Sequence, residues 1–250
     1  RATALNMLVI ELPVAGAKEI AAVRAAKHLS LDKETVTLGH VEMTTGVNAM
    51  RAIAGNSGIN GTGIGIAVVD SAVFGSHHTF LGNNGSSRLV SGLDTIGTGS
   101  FTDRFGHGTH VAAVAAGRGG KPGDQTSINI LQNYQGIAPE ATIIPVKVLD
   151  ENGSGSTAKL IQALDWILAN KVSKNIKVVN LSLGTAAVET YRNDPLCRAA
   201  RRLVDAGIVV VAAAGNHGKD AAGAKIYGAI HSPGNEPSVI TVGATNSFGT

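Results

Sequence analysis

The chain has 250 residues, enough for one large domain with a buried core, or for a domain and a small appendage. Aromatic residues make up only 4% against 44% hydrophobic, so the core must be built from Val, Ile, Leu and Ala. A formal charge of +3 with scattered Lys and Arg argues against a nucleic-acid footprint, the single cysteine excludes an internal disulfide, and no apolar run reaches membrane-spanning length.

The pattern begins with a small β-α-β piece: a strand over 6–13, an amphipathic helix over 16–29 and a strand over 33–38. This piece stands apart from the rest of the chain, which divides on this reading into residues 1–40 and residues 41–250. The run "TTGVNAMRAIAG" predicts a helix over 44–55 ending at Gly55. From residue 64 onward the pattern becomes apolar strand, polar loop, helix. The predicted strands are 64–70, 141–149, 176–183, 208–214 and 238–244; the helices lie near 107–117, 156–171 and 192–206. Near-continuous Val/Ile strands alternating with helices predict a doubly wound α/β fold, a mostly parallel sheet with helices on both faces. Arg198, Arg201 and Arg202 recur at helical spacing and read as a solvated helix face. Cys197 has no partner motif and reads as a packed or half-exposed thiol.

Ligands of parallel sheets gather at the carboxyl ends of the strands. Asp70 closes the first core strand, His107 opens a helix in "GHGTHVAAVAAG", and Asn216 follows the strand "IVVVAAAG". Each has an ordinary reading when taken alone: a turn aspartate, a helix-entry histidine, a turn asparagine. Together they supply a carboxylate, an imidazole and an amide donor, the parts needed to activate a hydroxyl and hold an oxyanion. Two other chemistries fit less well. His107 and His110 are three apart, whereas a helical zinc site has four-residue spacing with Glu beside the first His; position 108 is Gly. In "GTGIGIAVVD" the glycines precede the strand, the reverse of a dinucleotide fingerprint.

The blocks "VVDSAV", "GHGTHVA", "NLSLG" and "VVVAAAGNHG", in this order, resemble those of the subtilisin-like serine proteases. "VKVLDENGSGS" is similar to the strand and loop lining that family's substrate cleft. The resemblance implies an endopeptidase acting on polypeptides through an Asp-His-Ser triad, with Asp70 orienting His107, His107 as general base and acid, and Asn216 as oxyanion donor. It implies a cleft edge at Gly153, Ser154 and Gly155. It also implies pocket walls at Ser182, Leu183 and Gly184, and at Ala213, Ala214 and Gly215. The small wall residues suggest a roomy pocket for an apolar or mixed side chain. One departure is Ala72, where family members usually carry Gly; it bears on the turn behind Asp70.

The family's serine block, Gly-Thr-Ser-Met-Ala, does not occur in the sequence. Ser100 precedes His107 in a glycine-rich loop and is a poor substitute. The chain is therefore expected to be a piece of a longer protease and inactive by itself, with a catalytically dead peptide-binding module as the main alternative and a metal-dependent hydrolase as a lesser one. Residues 1–40 resemble the C-terminal half of the family's inhibitory propeptide, which implies a zymogen inhibited by its own propeptide. The family habit implies secretion. No cofactor is expected, although a structural calcium ion is compatible with the family, with 118–136 as its candidate loop.

Overall fold

The computed structural model describes residues 45–53, 55, 58–119 and 135–244, together with Gly16 and Glu19. By contacts the chain separates into two compact units, Arg1–Thr37 and Leu38–Thr250. The expected strands over 6–13 and 33–38 lie outside the described residues; of the helix expected over 16–29, only Gly16 and Glu19 are described, both helical.

The second unit opens with a short helix, α1 (Val47–Ala52), inside the expected 44–55. Then come β1 (Gly65–Asp70), β2 (Leu93–Asp94), α2 (His107–Ala116), β3 (Thr142–Lys147), α3 (Thr157–Asn170), β4 (Ile176–Leu181), α4 (Pro195–Asp205), β5 (Val209–Ala213) and β6 (Ile240–Val242). The six strands form one sheet in the order β2-β3-β1-β4-β5-β6, and every pairing is parallel. All carboxyl ends therefore emerge on one rim.

Burial on both faces explains the continuous apolar strands. In β1, Ile66 and Val68 pack on one side with Ala112 and Ala116 of α2. Ala67 and Val69 pack on the other, with Leu160, Leu164 and Ile167 of α3 and Leu196, Ala200 and Leu203 of α4. The alternation along a strand sends successive residues to opposite layers. The fold is thus the doubly wound α/β arrangement that the pattern predicts.

The helix starts are written locally. The Ser156 hydroxyl accepts from the Lys159 N–H at the head of α3. At α4, the Asp194 carboxylate accepts from the N–H groups of Leu196 and Cys197, and Pro195 occupies the first turn. Cys197 is buried rather than half-exposed. Arg198 and Arg202 lie on the open face of α4 as expected; Arg201, its side chain still 42% exposed, reaches the buried Glu236 carboxylate and pairs with it. Arg88 ties three segments on the α2 side. Its guanidinium donates to the carbonyls of Ala141 at 2.8 Å, Thr79 at 2.9 Å and Ala116 at 2.6 Å.

Candidate active site

Asp70 is the last residue of β1 and is fully buried, so its carboxylate needs partners. Both of its oxygens lie 2.9 Å from Nδ1 of His107. Oδ1 also accepts from the Ser71 N–H at 2.7 Å. His107 is the first residue of α2, entered through Gly106 at φ 88°. Its side chain is 43% exposed, so the ring has a buried carboxylate on one edge and solvent on the other. A carboxylate can only accept, so Nδ1 carries the ring hydrogen when Asp70 is ionised, and the free lone pair falls on Nε2. That is the tautomer a general base requires.

A second polar layer holds this pair. Asp103 accepts from the Gly106 N–H, the Thr109 N–H and the Thr109 hydroxyl. It also accepts from the Ser71 hydroxyl at 2.8 Å, and the same Ser71 oxygen accepts from the Gly108 N–H at 3.0 Å. Burial alone would push the Asp103 carboxyl up. Bonds from the Thr109 hydroxyl, the Gly106 and Thr109 N–H groups and the Ser71 hydroxyl outweigh it, and the group titrates below the ordinary value. The network bolts the first turn of α2 to the end of β1. Gly108 makes the approach possible: a Cβ there would lie 2.1 Å from the Ala72 carbonyl oxygen and 2.9 Å from the Asp70 Cβ. Ala72, the residue out of step with the resemblance, holds φ 137° in the buried turn behind Asp70.

The other predicted residues lie at the carboxyl ends of their strands. Gly153, Ser154 and Gly155 follow β3, in a loop where the Asp150 carboxylate accepts from the Asn152 and Ser154 N–H groups, each at 2.9 Å. Phe105 links this loop to His107. Its ring fills the space beside Gly153, and its centroid is 6.3 Å from the imidazole. Ser182, Leu183 and Gly184 follow β4, and the Asn180 amide donates to the Ser182 hydroxyl at 2.8 Å. Ala213 ends β5; Ala214, Gly215 and the exposed Asn216 come directly after it. The pairing of Leu181 with Ala212 brings the two expected walls side by side. His231 lies beside both glycines: a Cβ at Gly215 would meet its ring at 2.8 Å, and one at Gly184 would meet its Cβ at 3.0 Å.

Asp103, Ser71, Phe105 and His231 do not stand out in the sequence. Asp103 and Ser71 had a signal, being polar residues within four positions of His107 and Asp70; His231 had none. Ser100 sits in a separate exposed loop, where its hydroxyl donates to Thr102. Among the described residues, no group of three His, Cys, Asp or Glu side chains is arranged to hold a metal ion, and no helix is long and apolar enough to cross a membrane. Most of the candidate calcium loop, 120–134, lies outside the described residues.

Comparison with known proteins places this geometry in context. A family model described as the subtilase family matches residues 61–249. The extracellular serine proteinase of Thermus sp. (strain Rt41A) is 37% identical over 188 residues, covering 75% of this chain and 38% of that protein. Subtilisin E of Bacillus subtilis (strain 168) is 34% identical over 203 residues, covering 81% of this chain and 46% of that protein. Among solved structures, a cold adapted subtilisin-like serine proteinase aligns with a TM-score of 0.56 at 31% identity, over 76% of this chain and 57% of that one. Sphericase aligns with a TM-score of 0.60 at 30% identity, over 80% and 62%. The chain spans less than half the length of these two curated relatives.

Proposed function

This chain belongs to the subtilase family, and from that membership and the contact between Asp70 and His107 we propose that it carries most of the machinery of a serine endopeptidase. The nucleophile is a serine supplied from outside residues 1–250. Nε2 of His107 takes the hydroxyl proton as the oxygen attacks the scissile carbonyl carbon, and Asp70 stabilises the imidazolium that forms. The Asn216 amide donates to the oxyanion; loss of one such donor typically lowers turnover by about 10²–10³. The ring then passes its proton to the leaving amine, and water repeats the sequence on the acyl-enzyme. Without the serine, turnover falls by roughly 10⁶, so residues 1–250 alone are inactive.

The substrate is a polypeptide in extended form. Gly153, Ser154 and Gly155 offer backbone for strand addition, and the segments 182–184 and 213–215 flank the side chain before the scissile bond. Residues 1–40 belong to an inhibitory propeptide, and the protein is a zymogen until that piece is cut away. The protein is secreted, in keeping with the extracellular relatives. The chemistry uses no cofactor; any calcium ion would support the fold.

The observation that carries the proposal is the pair of 2.9 Å contacts from a buried carboxylate to a solvent-reachable imidazole on the rim of the sheet. The test is made on the full-length protein. A serine-directed phosphonate should label it and block cleavage of a generic peptide, and His107→Ala should abolish both. Cleavage that resists the phosphonate but stops with a chelator would refute the triad; neither labelling nor cleavage would leave a peptide-binding module.

A further inference from the structure

Resting on that protease reading, we propose that His231, braced by His217, is the floor of the pocket for the side chain before the scissile bond and makes that pocket a receptor for an acidic side chain. Three observations place the ring there. First, its backbone is stitched to both walls. The His231 N–H donates to the Ala214 carbonyl at 3.0 Å, and the next residue, Ser232, exchanges two backbone hydrogen bonds with Thr185 at 2.9 and 3.0 Å. Second, the His231 side chain takes up the volume that the two glycines leave, its ring against Gly215 and its Cβ against Gly184. A Cβ at Gly215 would lie 2.8 Å from its Cγ, and one at Gly184 would lie 3.0 Å from its Cβ. Third, Nε2 of His231 lies 3.1 Å from Nδ1 of His217, with the rings edge-on at 4.7 Å between centroids, so the imidazole is held from the open side as well.

The consequences come from volume and hydrogen-bond counting. A large apolar side chain cannot share this space with the ring, and would bury imidazole nitrogens without partners. In the neutral pair one hydrogen is shared between Nε2 of His231 and Nδ1 of His217. One N–H then remains outside the shared bond, on Nδ1 of His231 beside Gly184 and Gly215 or on Nε2 of His217, and the other of these two nitrogens is an acceptor. One added proton makes both of them donors and gives the pair a positive charge. A carboxylate satisfies that arrangement, through charge-assisted bonds stronger than neutral ones. The loop that carries the two histidines also bears Lys219 and Lys225, paired across an isolated bridge, against Asp220, whose carboxylate already accepts from the N–H groups of Ala222 and Ala224. His231 is half-buried while Gly184, Gly215 and His217 are exposed, so the face is open to a substrate.

The experiment compares kcat/KM of the full-length protease for peptides identical except for Glu, Ala or Phe before the scissile bond. Wild type should favour Glu over Phe by about tenfold or more. His231→Gly should reverse that ratio by admitting Phe, and His217→Ala should lower the Glu:Ala ratio of kcat/KM. Preference for Phe in wild type, or an unchanged Glu:Phe ratio in His231→Gly, overturns the proposal and leaves the protease reading intact. Phosphonate labelling without cleavage of any of the three peptides also overturns the pocket alone. Absence of both labelling and cleavage overturns the protease reading, and the pocket with it.

Discussion

Gly108→Ala tests whether close approach between α2 and β1 holds the candidate site together. The added carbon would sit 2.1 Å from the Ala72 carbonyl oxygen, 0.9 Å inside the 3.0 Å below which real Cβ atoms essentially never come. The opposing atoms are backbone and the Asp70 Cβ, so no side-chain rotation relieves the overlap. Either the first turn of α2 lifts away, breaking the 3.0 Å bond from the Gly108 N–H to Ser71, or the turn behind Asp70 shifts. Overpacking of this kind costs about 1–3 kcal/mol, or more when backbone must move. Helix propensity opposes it: Gly→Ala in a helix interior is worth up to about 1 kcal/mol, and less at the second residue. The net expectation is destabilisation by about 1–2 kcal/mol, which lowers Tm by about 2–8 °C for a chain of this size. A shift near 1 Å between the His107 ring and its carboxylate should also lower kcat/KM by about 10². Calorimetry and single-substrate kinetics on the full-length protein read both effects. An equal or higher Tm, with kcat/KM unchanged, would show that propensity decides here and that the approach is not tight.

Asp103→Asn replaces an acceptor of four hydrogen bonds with a group that must itself donate, and should cost about 1–3 kcal/mol by thermal unfolding while lowering kcat more than it raises KM. Asp94 and Asp103 both titrate below the ordinary carboxyl value; burial alone would raise each, and the hydrogen bonds they accept reverse it. Protonation therefore favours the unfolded chain: their contribution is complete above about pH 4 and is lost as pH falls through the folded-state values, so Tm should drop steadily below about pH 4, and a flat or rising Tm there would contradict the assignment. Arg88→Met removes donors from the carbonyls of Ala141, Thr79 and Ala116 and should destabilise by about 2–4 kcal/mol in denaturant titration, the loss falling on the α2 side of the sheet.

Legibility in the sequence tracked the range of the forces involved. β1, β3, β4 and β5 could be read because a strand covered on both faces must be apolar throughout, and each strand states that by itself. The start of α3 was equally local, since Ser156 caps it; α4 starts three residues after the expected 192, where Asp194 caps it and Pro195 opens its first turn. β2 was not legible. Leu93 and Asp94 have no periodicity, and they become a strand only by pairing with Val146 and Lys147 of β3. Arg201 shows the same limit from a surface. Helical spacing places it on an arginine face, and only the position of Glu236, 35 residues later, gives its half-exposed side chain a buried partner.

The glycines carry this reasoning to the site. A glycine in sequence marks space where a side chain is absent, and the natural expectation is that substrate fills the space. At Gly184 and Gly215 the occupant is His231, and at Gly153 it is the ring of Phe105. At Gly108 it is the Ala72 carbonyl, brought in by β1. Each occupant arrives from another part of the fold, so nothing near the glycine announces it. Asp70 and His107 escaped this limit because strand end and helix start fix where each backbone goes, and Gly106 and Gly108 then let the two ends meet. Whether the chemistry of the pocket follows its walls or its floor depends on which of these rules applies to it. On the proposed pocket, the packing of His231 against Gly184 and Gly215 would put the floor in control, and the residue that sets substrate choice should then be the histidine that the wall motifs do not contain.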